Sequence, residues 1–271
     1  HFIISSVGGT QHTIGIMLRG ANDVPVISQS SSTTGAITED AASNTVSGVL
    51  IASDVYIGSQ LGWSLVSASG VYGTLALDGT SGQWTYTLDN SRTATQGLAD
   101  GQQVSERFSV LVTDEHGASA RQDVVISVRG TNDNPLLLNV PPLSVRDGGA
   151  VEHGHLNATD VDIRDTLIFS TAAQVPGFTL SADGAWSFDP ANAAYLQLVD
   201  GATQILSIPV SVNDGHGGTA TQILTITLIG TNQAAVIAGV DTGSVTEDTT
   251  SPSSHLLETG GQLTVRDTDS D

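Results

Sequence analysis

The feature that most constrains this chain is an internal repeat of about 100 residues, which is the length of one whole domain. The repeated motif reads Gly20-Ala21-Asn22-Asp23-Val24-Pro25, then Gly130-Thr131-Asn132-Asp133-Asn134-Pro135, then Gly230-Thr231-Asn232-Gln233-Ala234-Ala235. The copies are 110 and 100 residues apart, and each follows a stretch in which apolar and other residues alternate. Such alternation is typical of a half-buried strand, so each unit is expected to end in one.

A second pair of matching segments predicts a β-hairpin in each unit. The alternating runs 108–112 and 208–212 end in the turns Asp114-Glu115-His116-Gly117 and Asp214-Gly215-His216-Gly217. A strand, a glycine turn and a strand indicate a hairpin, and the histidines are expected to be turn residues. Trp84 matches Trp186, and alternation with a second aromatic favours the cores for both over the alternative of sugar-stacking platforms. Trp63 has no counterpart in the sequence and is a weaker candidate for either role.

The repeats divide the chain into four parts. Residues 1–25 are expected to end one repeat, 26–135 and 136–235 to form two complete repeats, and 236–271 to begin another. Aromatic residues make up only 4% of the chain, so the cores must be small. Short strands, frequent turn residues and no recognisable helix favour an all-β antiparallel sandwich for each repeat.

Charge and composition exclude several partners. The 271 residues carry 28 acidic and 8 basic side chains, a formal charge of −20, and no lysine. Nucleic acids and anionic membrane surfaces require clustered positive charge, so neither is an expected partner. The sequence has no cysteine and no apolar run of about 18 residues, which excludes disulfides, thiolate metal sites and membrane insertion within this sequence.

Carboxylates gather near the repeat boundaries. Asp160-Val161-Asp162, followed by Asp165, lies 27 residues after Asp133, and Asp267-Thr268-Asp269-Ser270-Asp271 follows the next boundary. At the corresponding place in the first complete repeat, Asp54 is followed by Tyr56 instead of a second acid. Oxygen ligands at this spacing favour Ca²⁺ over zinc or copper, whereas the plainer alternative is a solvated acidic surface that confers solubility.

These motifs resemble a known family. The segments 35–40, 84–90 and 130–135 of the first complete repeat resemble the VCBS repeats of large bacterial surface adhesins. The second complete repeat, with Glu152-His153 in place of the Thr-Glu-Asp motif, resembles the related bacterial cadherin-like domains. The resemblance implies tandem immunoglobulin- or cadherin-like Greek-key β-sandwiches in an elongated array, within RTX-type secreted proteins that act in cell adhesion and biofilms.

The cadherin resemblance also implies calcium ligands at each junction. At the junction of the two complete repeats they are Glu39, Asp100, Asn132, Asp133, Asp160, Asp162 and Asp214. At the first junction they are Asn22, Asp23, Asp54 and Asp114. At the last junction they are Glu152, Asp200, Asn232, Asp267 and Asp269. The outer two junctions are expected to bind weakly or not at all, because Tyr56, Gln233 and Ala235 replace expected residues.

The expected function is that of a calcium-stiffened extender in a bacterial cell-surface adhesin, with calcium and the neighbouring repeats as partners. The alternative is a binding module for a cell-surface glycan or host protein, with the 57–82 loop, including Trp63 and Tyr72, as the contact surface. An enzyme is not expected, because the acids recur with the repeat, whereas an active site normally occurs once. His153-Gly154-His155 could place two imidazoles on one strand face, but it lacks a third metal ligand and is expected to be an exposed pair in a loop.

Overall fold

The structure, a computed structural model, describes residues 1–247, 257 and 259–269. It divides into two compact units, His1–Thr131 and Asn132–Asp271. Each unit has its own buried apolar cluster, so each is a domain with a separate core. Within the described residues, no helix has the length and apolar character needed to cross a membrane.

The first unit contains eleven of the strands and one short helix. The elements are β1 (Phe2–Ser5), β2 (Gln11–Ile14), β3 (Val26–Ile27), β4 (Thr34–Thr38), β5 (Thr45–Val49), β6 (Ala52–Ser53), β7 (Gly62–Leu65), β8 (Gly73–Leu77), β9 (Gln83–Leu88), α1 (Thr93–Gln96), β10 (Gln103–Thr113) and β11 (Ser119–Arg129). A four-stranded sheet has the order β4-β11-β10-β7, and a three-stranded sheet has the order β5-β9-β8. The unit is therefore a β-sandwich, and it also contains the two-stranded pairs β1-β2 and β3-β6.

The second unit repeats this plan. Its strands are β12 (Leu136–Leu137), β13 (Leu143–Arg146), β14 (Glu152–His155), β15 (Ala158–Thr159), β16 (Ile168–Ser170), β17 (Phe178–Leu180), β18 (Ala185–Phe188), β19 (Thr203–Asn213), β20 (Thr219–Ile229), β21 (Val236–Gly239) and β22 (Leu263–Arg266). The sheets are β13-β20-β19-β16 and β14-β18-β17, with β12 paired to β15 and β21 to β22. In the larger sheets β4 pairs with β11, and β13 with β20, in parallel. The predicted hairpins β10-β11 and β19-β20 are antiparallel.

Alternation along the long hairpins builds the two cores. Every second side chain in the second half of β10 is buried, and Phe108, Val110 and Val112 pack in the first unit as Ile208, Val210 and Val212 do in the second. This is the period of two that a sheet with one buried face requires. The expected all-β tandem sandwich is thus observed, whereas the single turn of helix at Thr93–Gln96 was not expected.

A glycine faces a tryptophan across the smaller sheet of each unit. Gly48 pairs with Trp84 and Gly154 with Trp186 in the strand registers. A Cβ at Gly48 would lie 2.6 Å from the Trp84 ring, and one at Gly154 would lie 2.2 Å from the Trp186 ring. Only glycine leaves room for the indole, which in Trp84 is fully buried and donates its Nε1–H to Ser32 O at 2.8 Å.

Alanine substitution tests this packing. Gly48→Ala and Gly154→Ala are expected to lower the free energy of unfolding of their own unit by about 1–3 kcal/mol, because an added methyl overfills a packed core. Gly62→Ala is the matched control, since the nearest atom to a Cβ there is Thr113 O at 3.9 Å. Thermal unfolding monitored by calorimetry measures the difference, and equal melting temperatures for all three variants would contradict the packing argument.

Candidate metal centre

Three segments of the second unit meet at its N-terminal end. They are the linker 132–134, the loop 160–165 after β15, and the turn 214–218 between β19 and β20. The Asp133 backbone N–H donates to Asp162 Oδ2 at 2.8 Å, and Asn132 Nδ2 donates to Asp214 Oδ2 at 3.0 Å. These two bonds tie the linker to both acidic segments, so three separate parts of the sequence form one site.

The turn 214–218 holds Asp214 in a fixed orientation. Asp214 Oδ1 accepts hydrogen bonds from the backbone N–H groups of His216 at 2.7 Å, Gly217 at 3.0 Å and Gly218 at 3.0 Å. Gly215 and Gly217 have φ angles of 89° and 111°, which a side chain rarely adopts. Burial opposes ionisation of Asp214, but the Asn132 amide and the turn N–H groups together lower its pKa, so the site keeps a carboxylate here.

The loop 160–165 brings three carboxylates together. One oxygen from each of Asp160, Asp162 and Asp165 lies within 4.8 Å of an oxygen from the others. Asp162 is 4% exposed, and the side chain of Asp165 is 1% exposed. Burial raises the pKa of Asp162, and the like charges of Asp165, Asp160 and Asp214 raise it further, while the Asp133 N–H opposes the rise. The loop therefore concentrates negative charge at a cost in free energy.

Several oxygens in this cluster are buried without a hydrogen-bond donor. Among the described residues, no donor reaches Asp160 Oδ2, Asp162 Oδ1, Asp165 Oδ2 or Asn132 Oδ1. Buried polar atoms in proteins nearly always have partners, and an unpaired carboxylate oxygen carries a desolvation penalty. A divalent cation accepts electron pairs from several such oxygens at once, so the donor set fits a hard metal ion. We call Asp160, Asp162, Asp165 and Asp214 the acidic cluster.

Five of the seven residues that the sequence predicts for the central junction belong to the second unit. Asn132, Asp133, Asp160, Asp162 and Asp214 meet in the second unit, as described above. In the first unit, Glu39 is 1% exposed and accepts hydrogen bonds from Gln96 Nε2 at 3.0 Å and Thr131 N–H at 3.3 Å. Asp100 lies exposed in the same unit. Asp165 was not among the predicted ligands, although its position three residues after Asp162 could have suggested that it belongs to the same acidic loop.

The first unit carries a reduced version of the same arrangement. Asn22 Nδ2 donates to Asp114 Oδ2 at 2.7 Å and lowers the pKa of Asp114, and the Tyr56 N–H donates to Asp54 Oδ1 at 2.9 Å. The Tyr56 hydroxyl donates to Ala21 O in the linker. Asp23 is exposed. The tyrosine thus occupies the place of the second carboxylate, as the sequence indicated, and it holds the linker with a hydrogen bond instead of a negative charge.

At the last junction, Asp147 occupies the position that was predicted for Glu152. Glu152 lies on β14 opposite Phe188, whereas Asp147 directly follows β13 as Glu39 follows β4. Asp147 is 3% exposed, its N–H donates to Ile229 O at 3.0 Å, and its Oδ1 accepts the Thr231 N–H at 2.7 Å. The sequence spacing could have located Asp147: it lies 83 residues before Gly230, and Glu39 lies 91 residues before Gly130.

The remaining predicted residues of that junction divide into two groups. Asp269 is 8% exposed, accepts the Gln233 N–H at 2.7 Å and donates its own N–H to Asp267 Oδ1 at 3.1 Å, which repeats the pattern of the central linker. Asp200 and Asn232 are exposed. Asp248 and Asp271, which complete the motifs 243–248 and 267–271, lie outside the described residues.

The structure also shows where Trp63 and the histidine pair of 153–155 lie. Trp63 is 8% exposed and pairs with Val112, so it belongs to the core; Phe169 opposite Val212 is its counterpart in the second unit. The expected 57–82 loop is therefore wrong in two respects, because the segment contains strands β7 and β8 and its Trp63 is buried. His153 and His155 are exposed as expected, but they lie on β14 and not in a loop.

Comparison with known proteins identifies the repeats. The profile of the bacterial cadherin-like domain matches residues 22–130 and again 132–230. This chain belongs to the bacterial cadherin-like domain family. Both complete cadherin-like repeats match, including the first, which by sequence resembled VCBS repeats. Membership indicates an extracellular adhesion repeat region. The search among curated proteins returned no significant match.

Solved structures show the same fold. Domains 1–5 of protocadherin gamma B2 align with a TM-score of 0.53 and 14% identity, covering 79% of this chain and 41% of that one. The protocadherin gamma B4 extracellular domain aligns at 0.51 and 18% identity, covering 91% and 39%. Mouse cadherin-23 domains EC22–24 align at 0.47 and 18% identity, covering 77% and 65%. This chain thus spans about two fifths to two thirds of the length of these structures.

The raised pKa of Asp162 gives a test of the charge balance without calcium. Since its folded-state pKa is raised, Asp162 lowers the stability of the chelated protein as pH rises from the unfolded-state pKa through the folded one. Asp162→Asn keeps an oxygen for the Asp133 N–H and removes the charge, so it is expected to remove this loss of unfolding free energy. In chelator at pH 7 the melting temperature is expected to rise by roughly 2–4 °C for each kcal/mol of unfolding free energy gained.

The control for this test is Asp241→Asn, which neutralises an exposed carboxylate of the same unit. Scanning calorimetry in chelator at a series of pH values between 4 and 7 measures both variants beside the unchanged protein. If the melting temperature of Asp162→Asn at pH 7 is lower than that of the unchanged protein, repulsion at Asp162 does not destabilise the folded domain.

Proposed function

We propose that this chain is a calcium-binding extender region of a bacterial cell-surface adhesin. The observation that carries the proposal is the acidic cluster of the second unit, where buried oxygens face one another without donors. Two adjacent domains of one family support a spacer role, because repetition adds length. Cadherin-like domains are typically non-enzymatic modules, and the acids recur with the repeat.

The choice of calcium follows from the ligand set. Four carboxylates and the Asn132 side-chain oxygen lie in or beside the cluster, and the carboxylates bring a charge of about −4 when ionised. Calcium takes six to eight oxygen ligands at about 2.3–2.6 Å with flexible geometry, whereas magnesium demands a near-ideal octahedron and keeps its waters. A crowded set of carboxylate oxygens is therefore better suited to calcium, which accepts more ligands in a less regular geometry.

Calcium binding would stiffen the linker through the bonds described above. Asn132 and Asp133 contact Asp214 and Asp162, and Asn134 Oδ1 accepts the Thr219 N–H at 3.3 Å. Without a cation, repulsion within the cluster weakens the segments that hold this linker. With a cation, the linker has fewer accessible conformations, so successive repeats explore fewer orientations. Glu39 and Asp100 remain proposed ligands from the preceding repeat.

The proposed location is the outer surface of a bacterium, after secretion. Extracellular calcium modules bind with dissociation constants of about 10⁻⁴ to 10⁻³ M, so an ion of this affinity is lost at cytosolic concentrations and taken up outside. The resemblance to RTX-type adhesins extends the proposal to cell adhesion and biofilm formation. The proposed sites of the first and last junctions, around Asp114 and Asp147, are expected to be weaker.

Calcium titration of the full chain tests the proposal. The protein is expected to bind calcium in the 10⁻⁴ to 10⁻³ M range by calorimetry. Asp162→Asn is expected to weaken the tightest site at least tenfold, because it removes a buried charged ligand, while Asp241→Asn leaves it unchanged. The converse variant Tyr56→Asp supplies the missing carboxylate of the first unit and is expected to add binding capacity. Titration heats that are equal to those of buffer alone would contradict the proposal.

The stiffening is measured separately, by spin labels in this cysteine-free chain. Ser67→Cys and Ser181→Cys place one label on an exposed position in each unit. Calcium is expected to narrow the distance distribution measured by pulsed dipolar spectroscopy, because the linker becomes ordered. The same labels in an Asp162→Asn background are the control and should show no narrowing. A distribution that calcium leaves equally broad in the unchanged protein would disprove the extender mechanism, even if the ion binds.

A further inference from the structure

We propose that His216, Asp165 and Asp214 form a binding site for a transition-metal ion such as Zn²⁺. His216 Nδ1 lies 3.1 Å from Asp165 Oδ1, and one ligand atom from each of the three residues lies within 4.8 Å of the others. Neither the family match nor the proposed calcium function assigns a role to the imidazole. The site goes beyond the proposed function because it needs a nitrogen ligand, which calcium does not use.

The backbone of one turn fixes Asp214 and the base of the His216 side chain before any metal arrives. The His216 N–H donates to Asp214 Oδ1 at 2.7 Å, so the carboxylate and the base of the imidazole side chain belong to one rigid turn. A Cβ at Gly218 would lie 2.0 Å from Asp214 Oδ2, so glycine is required for the turn to close around this carboxylate. Preformed ligands lose little conformational freedom when they bind an ion, which favours affinity.

Asp165 supplies the independent evidence for a ligand. Its side chain is only 1% exposed, and no hydrogen-bond donor among the described residues reaches its Oδ2. The His216 side chain is 48% exposed, which leaves a path for an ion to enter beside the imidazole. A buried carboxylate oxygen that no donor reaches within the described part of the chain, next to an accessible ring nitrogen, is suited to binding a cation.

The chemistry of the ligands selects the class of metal. Imidazole nitrogen suits zinc, copper and nickel, whereas calcium takes oxygen. Tetrahedral zinc with ligands at about 2.0–2.2 Å separates neighbouring ligand atoms by about 3.3–3.6 Å. His216 Nδ1 and Asp165 Oδ1 are 3.1 Å apart, and all three ligand atoms lie within 4.8 Å of one another, so small side-chain rotations suffice. One imidazole and two carboxylates leave a fourth position for water.

The first unit provides an internal comparison. Its equivalent turn carries His116 after Asp114, but the segment that follows Asp54 contains no acid at the position of Asp165. His116 Nδ1 instead lies 3.8 Å from Glu115 Oε1, and both side chains are largely exposed. The same turn and the same histidine thus occur without the buried carboxylate, and His116 is expected not to hold the metal.

Zinc titration of the calcium-free full chain tests the proposal. His216→Ala is expected to weaken the tightest zinc site at least tenfold, whereas His116→Ala and the double variant His153→Ala with His155→Ala leave it within twofold. The unchanged protein loaded with Co²⁺ is expected to show the visible absorption of a four-coordinate ion, and His216→Ala to lose it. His216→Gln, which keeps a polar side chain of similar size, should give the same loss if melting shows that the alanine variant is perturbed.

The outcomes also separate zinc from calcium. His216→Ala is expected to keep calcium affinity within twofold, whereas Asp165→Asn weakens both ions. Zinc binding that depends on His216 in a protein that binds no calcium would support this inference and overturn the proposed function. Zinc affinity that is unchanged by His216→Ala, or reduced equally by His116→Ala, would overturn the inference and leave the calcium proposal standing.

Discussion

Repulsion between carboxylates held at fixed positions is the constraint on which the rest of this structure depends. Asp160, Asp162, Asp165 and Asp214 face one another in a partly buried site, and like charges about 4 Å apart cost roughly 1–4 kcal/mol per pair at effective dielectric constants of 80 to 20. Relaxing the loop would relieve this cost. The linker bonds to Asp162 and Asp214 prevent that, so the folded domain holds a charge distribution that a cation would neutralise.

The sandwich supplies the rigidity that holds the acids in place. Asp214 follows directly after the 11-residue strand β19, whose full length pairs with β20, and Asp160 follows directly after β15. Alternating buried residues fix the register of the long hairpin, since a slip of one residue would expose the core face. The glycine and tryptophan pair of each smaller sheet adds a packing contact that tolerates little movement. Stable strands therefore end in strained acidic loops.

Much of this architecture was predictable because the repeat recurs in the sequence with its strand pattern intact. The family resemblance and the tandem sandwich fold are confirmed, and the long hairpins at 103–129 and 203–229 follow from alternation. Trp63 was harder to place because its counterpart is Phe169, a match that only the strand register reveals. Asp147 was missed in favour of Glu152, because Gly149-Ala150-Val151-Glu152 resembles the segment 35–39 that ends in Glu39. In the structure the equivalent strand β13 ends at Arg146, directly before Asp147.

The acidic cluster was predictable in part. The Asp-x-Asp spacing and the boundary motif located Asp133, Asp160 and Asp162, but sequence alone gives no measure of burial or of missing donors. Asp165 and His216 required the three-dimensional turn, because they are 51 residues apart in the chain and 3.1 Å apart in space. The ring of the equivalent histidine of the first unit lies near Glu115, whereas that of His216 lies near the buried Asp165, so the same turn motif occurs in two different surroundings.

The most direct test is crystallography of the chain with calcium, using the anomalous signal of the ion. The account predicts an anomalous peak within about 2.3–2.6 Å of oxygens from Asp160, Asp162 and Asp214, with the linker residues ordered around it. Density that refines as water with hydrogen-bonded donors at this position, in crystals saturated with calcium, would contradict the central claim.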